Sequence, residues 1–246
     1  MLLKVEGVNK SYRQTGWLRK ARNQVLRDIG FEWRQGDTLG IIGESGSGKS
    51  TLGRLLLGIE KPDSGVIAFD GKPVSDRSAR RGAISAVFQD YTSSINPFFT
   101  VREAILEPLR LAGIASGSFD IGKLLRQVGL DESYLSRYPH ELSGGEAQRV
   151  CIARAISADP QCILLDEAIS SLDGSVQMQV LELLKKLRTS YGMGYIFITH
   201  DIQAAAYLCD RIMIIRGGEI VELVETKELK HVRSPYAKEL LRKVIS

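Results

Sequence analysis

At 246 residues, with 43% apolar and 25% charged side chains, the chain has the size and composition of one folded domain and not of a disordered or fibrous protein. Its 33 basic and 29 acidic side chains leave a net charge of +4, spread along the chain without the dense basic stripe of a nucleic-acid binder. Cys151, Cys162 and Cys209 form no C-x-x-C pair, so neither a disulfide framework nor a zinc site is expected and a reducing compartment fits. No run of about 18 apolar residues marks a membrane span, and the opening MLLKVEGVNKSYRQ has no signal-peptide core.

Along the first seventy residues, LLKVEGV and IGFEW read as short strands and TLGIIG as a buried one. TLGIIG runs into a glycine-rich loop and a helix from Lys49 to about Ile59, after which a KPDSG turn leads to the strand GVIAFDG. From about residue 90 the character becomes helical, with VREAILEPLRLAG and DIGKLLRQVGL separated by the soft ASGSF. A helix is expected from about Ser143 to Ala158, then the strand CILLD, a helix from about Gly174 to Ser190, the strand YIFIT and a short helix. RIMIIRGGEIVELV closes the series as a hairpin around Gly217 and Gly218. Strands alternating with helices predict an α/β fold with a mainly parallel sheet covered on both faces.

Gly43-x-x-x-x-Gly48-Lys49-Ser50 is a complete P-loop pattern, placed between a buried strand and a helix as its mechanism requires. Glycines let the amides of Gly43, Glu44, Ser45, Gly46, Ser47 and Gly48 converge on phosphate, and the helix N-terminus adds a favourable dipole. Lys49 reaches the terminal phosphates, Ser50 can ligate magnesium and Thr51 follows in the same turn. A nucleoside triphosphate with Mg2+ is therefore the expected ligand. CILLDEA ends a buried strand in Asp166 and Glu167; the first is assigned to the metal shell and the second to general base for an attacking water. YIFITH repeats the design with His200, whose imidazole can touch a γ-phosphate or hold the water in line.

A second glycine-rich loop lies in LSGGEAQRV. Ser143-x-x-Glu146 before a helical run is a capping box, but a cap alone does not need Gly144 and Gly145, because glycine weakens a first helical turn. Bare amides at a helix start suit an anion.

LSGGE followed by Gln148 and Arg149, between a P-loop and an LLDE strand, resembles the LSGGQ signature of ABC-type ATPases, and the resemblance covers essentially the whole chain. It implies a RecA-like P-loop NTPase with an N-terminal antiparallel β part. The core would span residues 1–89 and 159–246 of a single ABC ATPase domain, and a helical subdomain about 90–158. It further implies that Tyr12 stacks on adenine, that Gln89 lies in the loop that senses magnesium and the membrane partner, and that Asp173 lies in the loop crossing a dimer interface. Asp173 is also a natural N-cap for the helix that starts at Gly174. In that family two cassettes face head to tail, so the signature of one closes on ATP held by the other. Glu146 departs from the usual Gln but keeps the capping role.

VFQDYTSSINPFFTVREAI, YPHELSGG and SPYAKELL are similar to the dipeptide, oligopeptide and nickel importers, and DEA, with Ala168 where Pro is usual, is closer to the second ATPase of the nickel importers. The resemblance implies ATP-driven import of nickel or a related metal or metal chelate, with peptide import as the alternative and a non-transport ABC ATPase as the remote one. The implied partners are a second ABC ATPase subunit, a paralogue or else a copy, with two membrane permeases and an extracytoplasmic solute-binding protein. The chain would then lie peripherally on the cytoplasmic face of the membrane. A GTPase is disfavoured because no N-K-x-D follows the P-loop.

Overall fold

The computed structural model describes residues 2–13, 22–80, 82–90, 94–114 and 119–245. In chain order the elements are β1 (Leu2–Arg13), β2 (Arg22–Arg34), β3 (Thr38–Ile42), α1 (Lys49–Leu56), β4 (Ser64–Phe69), β5 (Lys72–Pro73), α2 (Arg77–Arg80), β6 (Ile84–Phe88), α3 (Val101–Ala112), α4 (Ile121–Gln127), α5 (Gly144–Ile156), β7 (Cys162–Asp166), α6 (Gly174–Tyr191), β8 (Gly194–Thr199), α7 (Ile202–Leu208), β9 (Arg211–Arg216), β10 (Glu219–Glu225) and α8 (Pro235–Ile245). They fall into two compact units, Met1–Arg80 with Tyr195–Ser246, and Arg81–Gly194.

The first unit carries an antiparallel sheet in the order β2-β1-β4-β5, as expected for the N-terminal part. Its other strands follow the order β10-β9-β3-β8, with β3 parallel to both β8 and β9 and β10 folding back as a hairpin on β9. Every residue of Thr38–Ile42 and of Tyr195–Thr199 is buried, which is why these strands read as unbroken apolar runs and not as alternations. The indole of Trp33 is fully enclosed and donates to the carbonyls of Asp37 and Tyr195 at 3.0 and 3.2 Å, so its one polar atom is satisfied.

Three boundaries of the first unit differ from expectation by three residues or more. β1 and β2 run on to Arg13 and back to Arg22, because pairing continues through a half-buried polar stretch, Asn9–Arg13, that lacks an apolar alternation. The helix from Lys49 stops at Leu56 and not at Ile59. Gly58 turns left-handed at φ 59, and a Cβ there would lie 2.4 Å from the carbonyl of Val74.

In the second unit β6 runs parallel to β7, in register from Ile84 opposite Cys162 to Phe88 opposite Asp166. ISAVF is not among the strands expected from sequence, although four of its five residues are apolar; only Val87 is buried. α3 begins in a reciprocal cap between Thr100 and Glu103 and is tied to α5 by Arg154, which donates to Glu107 at 2.6 Å and to the carbonyl of Ser94 at 3.1 Å. Besides the helices of the expected subdomain, this unit takes in β6, β7 and α6. The ASGSF segment lies outside the described residues except for Phe119.

Candidate functional site

β3 ends at Ile42, residues 43–48 form the loop, and α1 starts at Lys49. The glycines here are obligatory for two separate reasons. Gly46 and Gly48 adopt φ of 78 and 103, a region closed to most side chains. A Cβ at Gly43 would stand 2.2 Å from the carbonyl oxygen of Ile215, and one at Gly48 2.7 Å from the side chain of Leu26. The loop is therefore pressed against β9 at Gly43 and against β2 at Gly48, and only bare backbone fits at these two positions.

Lys49 is 6% exposed and donates from Nζ to the carbonyls of Gly43 at 2.8 Å and Glu44 at 2.9 Å. A buried ammonium bonded to the carbonyls of a glycine-rich loop at a helix start fits an anion. The buried hydroxyl of Ser47 has no hydrogen-bond partner among the described residues, a second opening for an external acceptor or donor. The cradle thus fits a triphosphate on its own geometry. Glu44, Ser45 and Gly46 are exposed at the loop tip and Ser50 is half-buried.

Tyr12 stands on β1, where its hydroxyl donates to Glu60 at 2.5 Å and the ammonium of Lys10 lies 5.3 Å from its ring centre. Arg54 of α1 grips the same carboxylate at 2.6 Å and donates to Thr51 at 3.2 Å, so a chain of hydrogen bonds joins Tyr12 to the helix behind the phosphate loop. Partial burial works against ionisation of Glu60, but the Tyr12 and Arg54 hydrogen bonds outweigh it and hold its carboxyl below the ordinary glutamate value. Glu60 and Arg54 were not legible as site-supporting residues, because neither falls in a motif.

Strand register sets the remaining neighbours. In the first unit Ile42 pairs with Thr199, so Gly43 and His200 leave the sheet at the same level. His200 is exposed, and the carboxylate of Asp201 accepts the amide of Ala204 at 3.0 Å to start α7 behind it. In the second unit Phe88 pairs with Asp166, so Gln89 and Glu167 emerge side by side. Gln89 is exposed, while Asp166 and Glu167 are half-buried. Glu167 adopts φ 52, a left-handed conformation unusual for glutamate that costs about 1–3 kcal/mol. Its carbonyl accepts from the amide and hydroxyl of Ser170 at 3.2 and 2.8 Å, which holds the turn. Asp173 caps α6, accepting from the amides of Ser175 and Val176 at 3.1 and 3.0 Å.

Ser143 opens α5 as expected. Glu146 accepts the Ser143 amide at 2.7 Å, and the Ser143 hydroxyl accepts the Glu146 amide at 3.4 Å. The other carboxylate oxygen accepts from the Tyr134 hydroxyl at 2.5 Å, and the Arg137 guanidinium lies 4.0 Å from the centre of that tyrosine ring. These bonds, Tyr134 first and Ser143 next, hold the Glu146 carboxyl below its ordinary value. Sequence reasoning also missed why Gly145 is glycine: a Cβ there would come within 2.8 Å of the Val176 methyl on α6. Arg149 reinforces the same junction, donating to Gln179 on α6 at 3.0 Å. Gly144 follows the cap as the first residue of the helix.

A buried strand, a glycine loop wrapped on a buried lysine and a helix, beside a second buried parallel strand in register, define a P-loop nucleoside triphosphatase. The sequence model of a family described as "ABC transporter" matches residues 26–170. The metal-staphylopine import system ATP-binding protein CntF of Staphylococcus aureus (strain NCTC 8325 / PS 47) is 48% identical over 248 residues, covering 100% of both chains. The nickel import ATP-binding protein NikE of Rhodospirillum rubrum is 40% identical over 99% of this chain and 91% of its own, and NikE of Escherichia coli (strain K12) is 41% identical over 90% and 86%. Among solved structures, the dimeric post-hydrolysis state of the ATP-binding cassette MJ0796 bound to ADP and Pi superposes with a TM-score of 0.78 at 29% identity, covering 91% of this chain and 98% of that one. The chain belongs to the ABC transporter family, as an ATP-binding and ATP-hydrolysing subunit.

Proposed function

We propose that this subunit powers import of nickel, a related transition metal or a chelate of one through membrane permeases. The observation that carries the reading is the full-length 48% identity to a metal-staphylopine import ATPase, seconded by the nickel import ATPases. The described residues contain no helix long and apolar enough to cross a membrane. In this reading the chain sits on the cytoplasmic face and works through two permeases, an extracytoplasmic binding protein and a second cassette, paralogous or identical.

Lys49 and the amides of Ser45–Gly48 bind the terminal phosphates, the amide of Glu44 being taken up by Tyr236, and the ring of Tyr12 takes the adenine. Ser50, Asp166 and Gln89 are the oxygen donors for magnesium, which when bound neutralises phosphate charge and orients the γ-phosphoryl group. Glu167 removes a proton from the attacking water, and His200 holds that water or the γ-phosphate in line. Ser143, Gly144, Gly145, Glu146 and Asp173 serve ATP bound to the second cassette. This division is supported by the glycine loop around Lys49 on one unit and the lysine-free helix start capped by Ser143 and Glu146 on the other.

The test is uptake of radioactive nickel, of nickel–staphylopine-type chelates and of a dipeptide by cells carrying the neighbouring permeases. Metal uptake should vanish in Glu167→Gln while ATP remains bound. Dipeptide uptake that depends on Glu167, with metal uptake unaffected, would replace the metal reading.

A further inference from the structure

The C-terminal helix reaches the phosphate loop through Tyr236. The hydroxyl of Tyr236 accepts the backbone amide of Glu44 at 3.2 Å. The ring is 4% exposed, and the guanidinium of Arg216 lies 4.6 Å from its centre. The segment that carries it is pinned to β10, where Glu222 accepts the amides of Arg233 and Ser234 at 3.2 and 2.7 Å. Residues 233–236 lie well outside the stretch 26–170 that matches the family sequence model.

The amide of Glu44 and the carbonyl of Gly43 are the two ends of one peptide unit, and in a trans peptide they point in opposite directions. No peptide bond among the described residues is cis. That carbonyl accepts Lys49 Nζ at 2.8 Å. Tyr236 and Lys49 therefore hold opposite edges of a single peptide plane, one from behind the loop and one from its concave face. Gly43 has no side chain to restrain the plane, so the hydrogen bonds at its two edges set its orientation. We infer that Tyr236 is a positioning residue for the phosphate loop: it fixes the Gly43–Glu44 peptide plane so that Lys49 is presented to the terminal phosphates of ATP. An amide committed to Tyr236 points away from the ligand, so the bond acts through the loop and does not touch ATP. The inference rests on the P-loop holding the triphosphate.

Tyr236→Phe removes only the hydroxyl and leaves the ring under Arg216. ATP affinity of the purified subunit, measured by calorimetry, should fall about three- to tenfold, the range for one net hydrogen bond. The melting temperature should stay at the wild-type value. Hydrogen exchange should speed up in the peptide spanning residues 43–48 and remain unchanged in β3. Lys49→Ala is the control for the underlying reading and should abolish binding; retained ATP affinity there would sink the P-loop assignment itself. If Lys49→Ala fails to bind and Tyr236→Phe binds and exchanges like wild type, the positioning role is wrong. Should Tyr236→Phe melt lower, exchange decides: acceleration confined to residues 43–48 supports positioning, and acceleration through β3 and β9 as well refutes it.

Discussion

Helix α1 starts behind Gly48, which offers no side-chain cap, with a buried lysine in its first turn and no acidic residue there. Helix α5 starts behind Ser143, which exchanges hydrogen bonds with Glu146, and carries no lysine near its start. Both starts are rich in glycine, yet the glycines answer different needs. Gly46 and Gly48 are required by left-handed backbone, whereas Gly145 is required because a methyl group would collide with Val176. An anion at α1 meets dipole, amides and ammonium together. At α5 the dipole is offset by a carboxylate, itself taken up by Tyr134 and Ser143. In the function proposed above, the first start holds the nucleotide of its own chain and the second meets an anion held by the other cassette.

The comparison can be broken most forcefully at Lys49. Lys49→Ala should lower ATP hydrolysis by about a hundredfold or more, as expected when a preorganised charge on the reacting phosphate is lost; phosphate release measures it, and near-normal turnover would erase the distinction between the two loops. Ser143→Trp comes next. It should leave ATP affinity of the isolated subunit intact while hydrolysis by the assembled dimer drops about a hundredfold, the effect of a group displaced by about 1 Å. Loss of both would contradict action across an interface.

Gly145→Ala probes the packing reason for glycine and should cost about 1–3 kcal/mol through overpacking against Val176. Adding Val176→Ala to the same chain should recover part of the lost melting temperature; no recovery would place the requirement elsewhere. The smallest effect belongs to Glu146→Gln, which should change hydrolysis at neutral pH by less than about twofold, since glutamine also serves a capping box. Its signature is in acid. The folded carboxyl lies below its ordinary value, so its contribution to stability is present above that ordinary value and is lost as pH falls through the lowered folded one. Melting curves taken from neutral pH to about pH 3 should show this acid-side loss in the wild type and less of it in the variant.

Much of this was legible in the chain. TLGIIGESGSGKS carries its strand, loop and helix in contiguous order, and continuous apolar runs identify strands covered on both faces. The helix starts at Ser143 and Asp173 were readable because capping is local chemistry. What stayed hidden depends on partners distant in sequence. β6 is short and half-buried, and although four of its five residues are apolar, nothing in ISAVF announces that Phe88 will pair with Asp166. Tyr236 lies 192 residues from the amide it accepts, so no local pattern could link them. Tyr134, 12 residues before Glu146, is nearer, but its bond depends on a 3₁₀ turn whose direction the sequence did not reveal.

The two strand registers set how freely this chain can change length. Gln89 and Glu167 are brought level by the pairing of Phe88 with Asp166, and Gly43 and His200 by the pairing of Ile42 with Thr199, not by the number of residues that separate them. Lengthening a connection between paired strands leaves both alignments intact. One residue inserted within Ser85–Phe88 or Leu39–Ile42 turns every following side chain to the opposite face. The tolerance of this enzyme to insertion should therefore be graded by strand pairing, with its sharpest limits in short segments that bear no site residue at all.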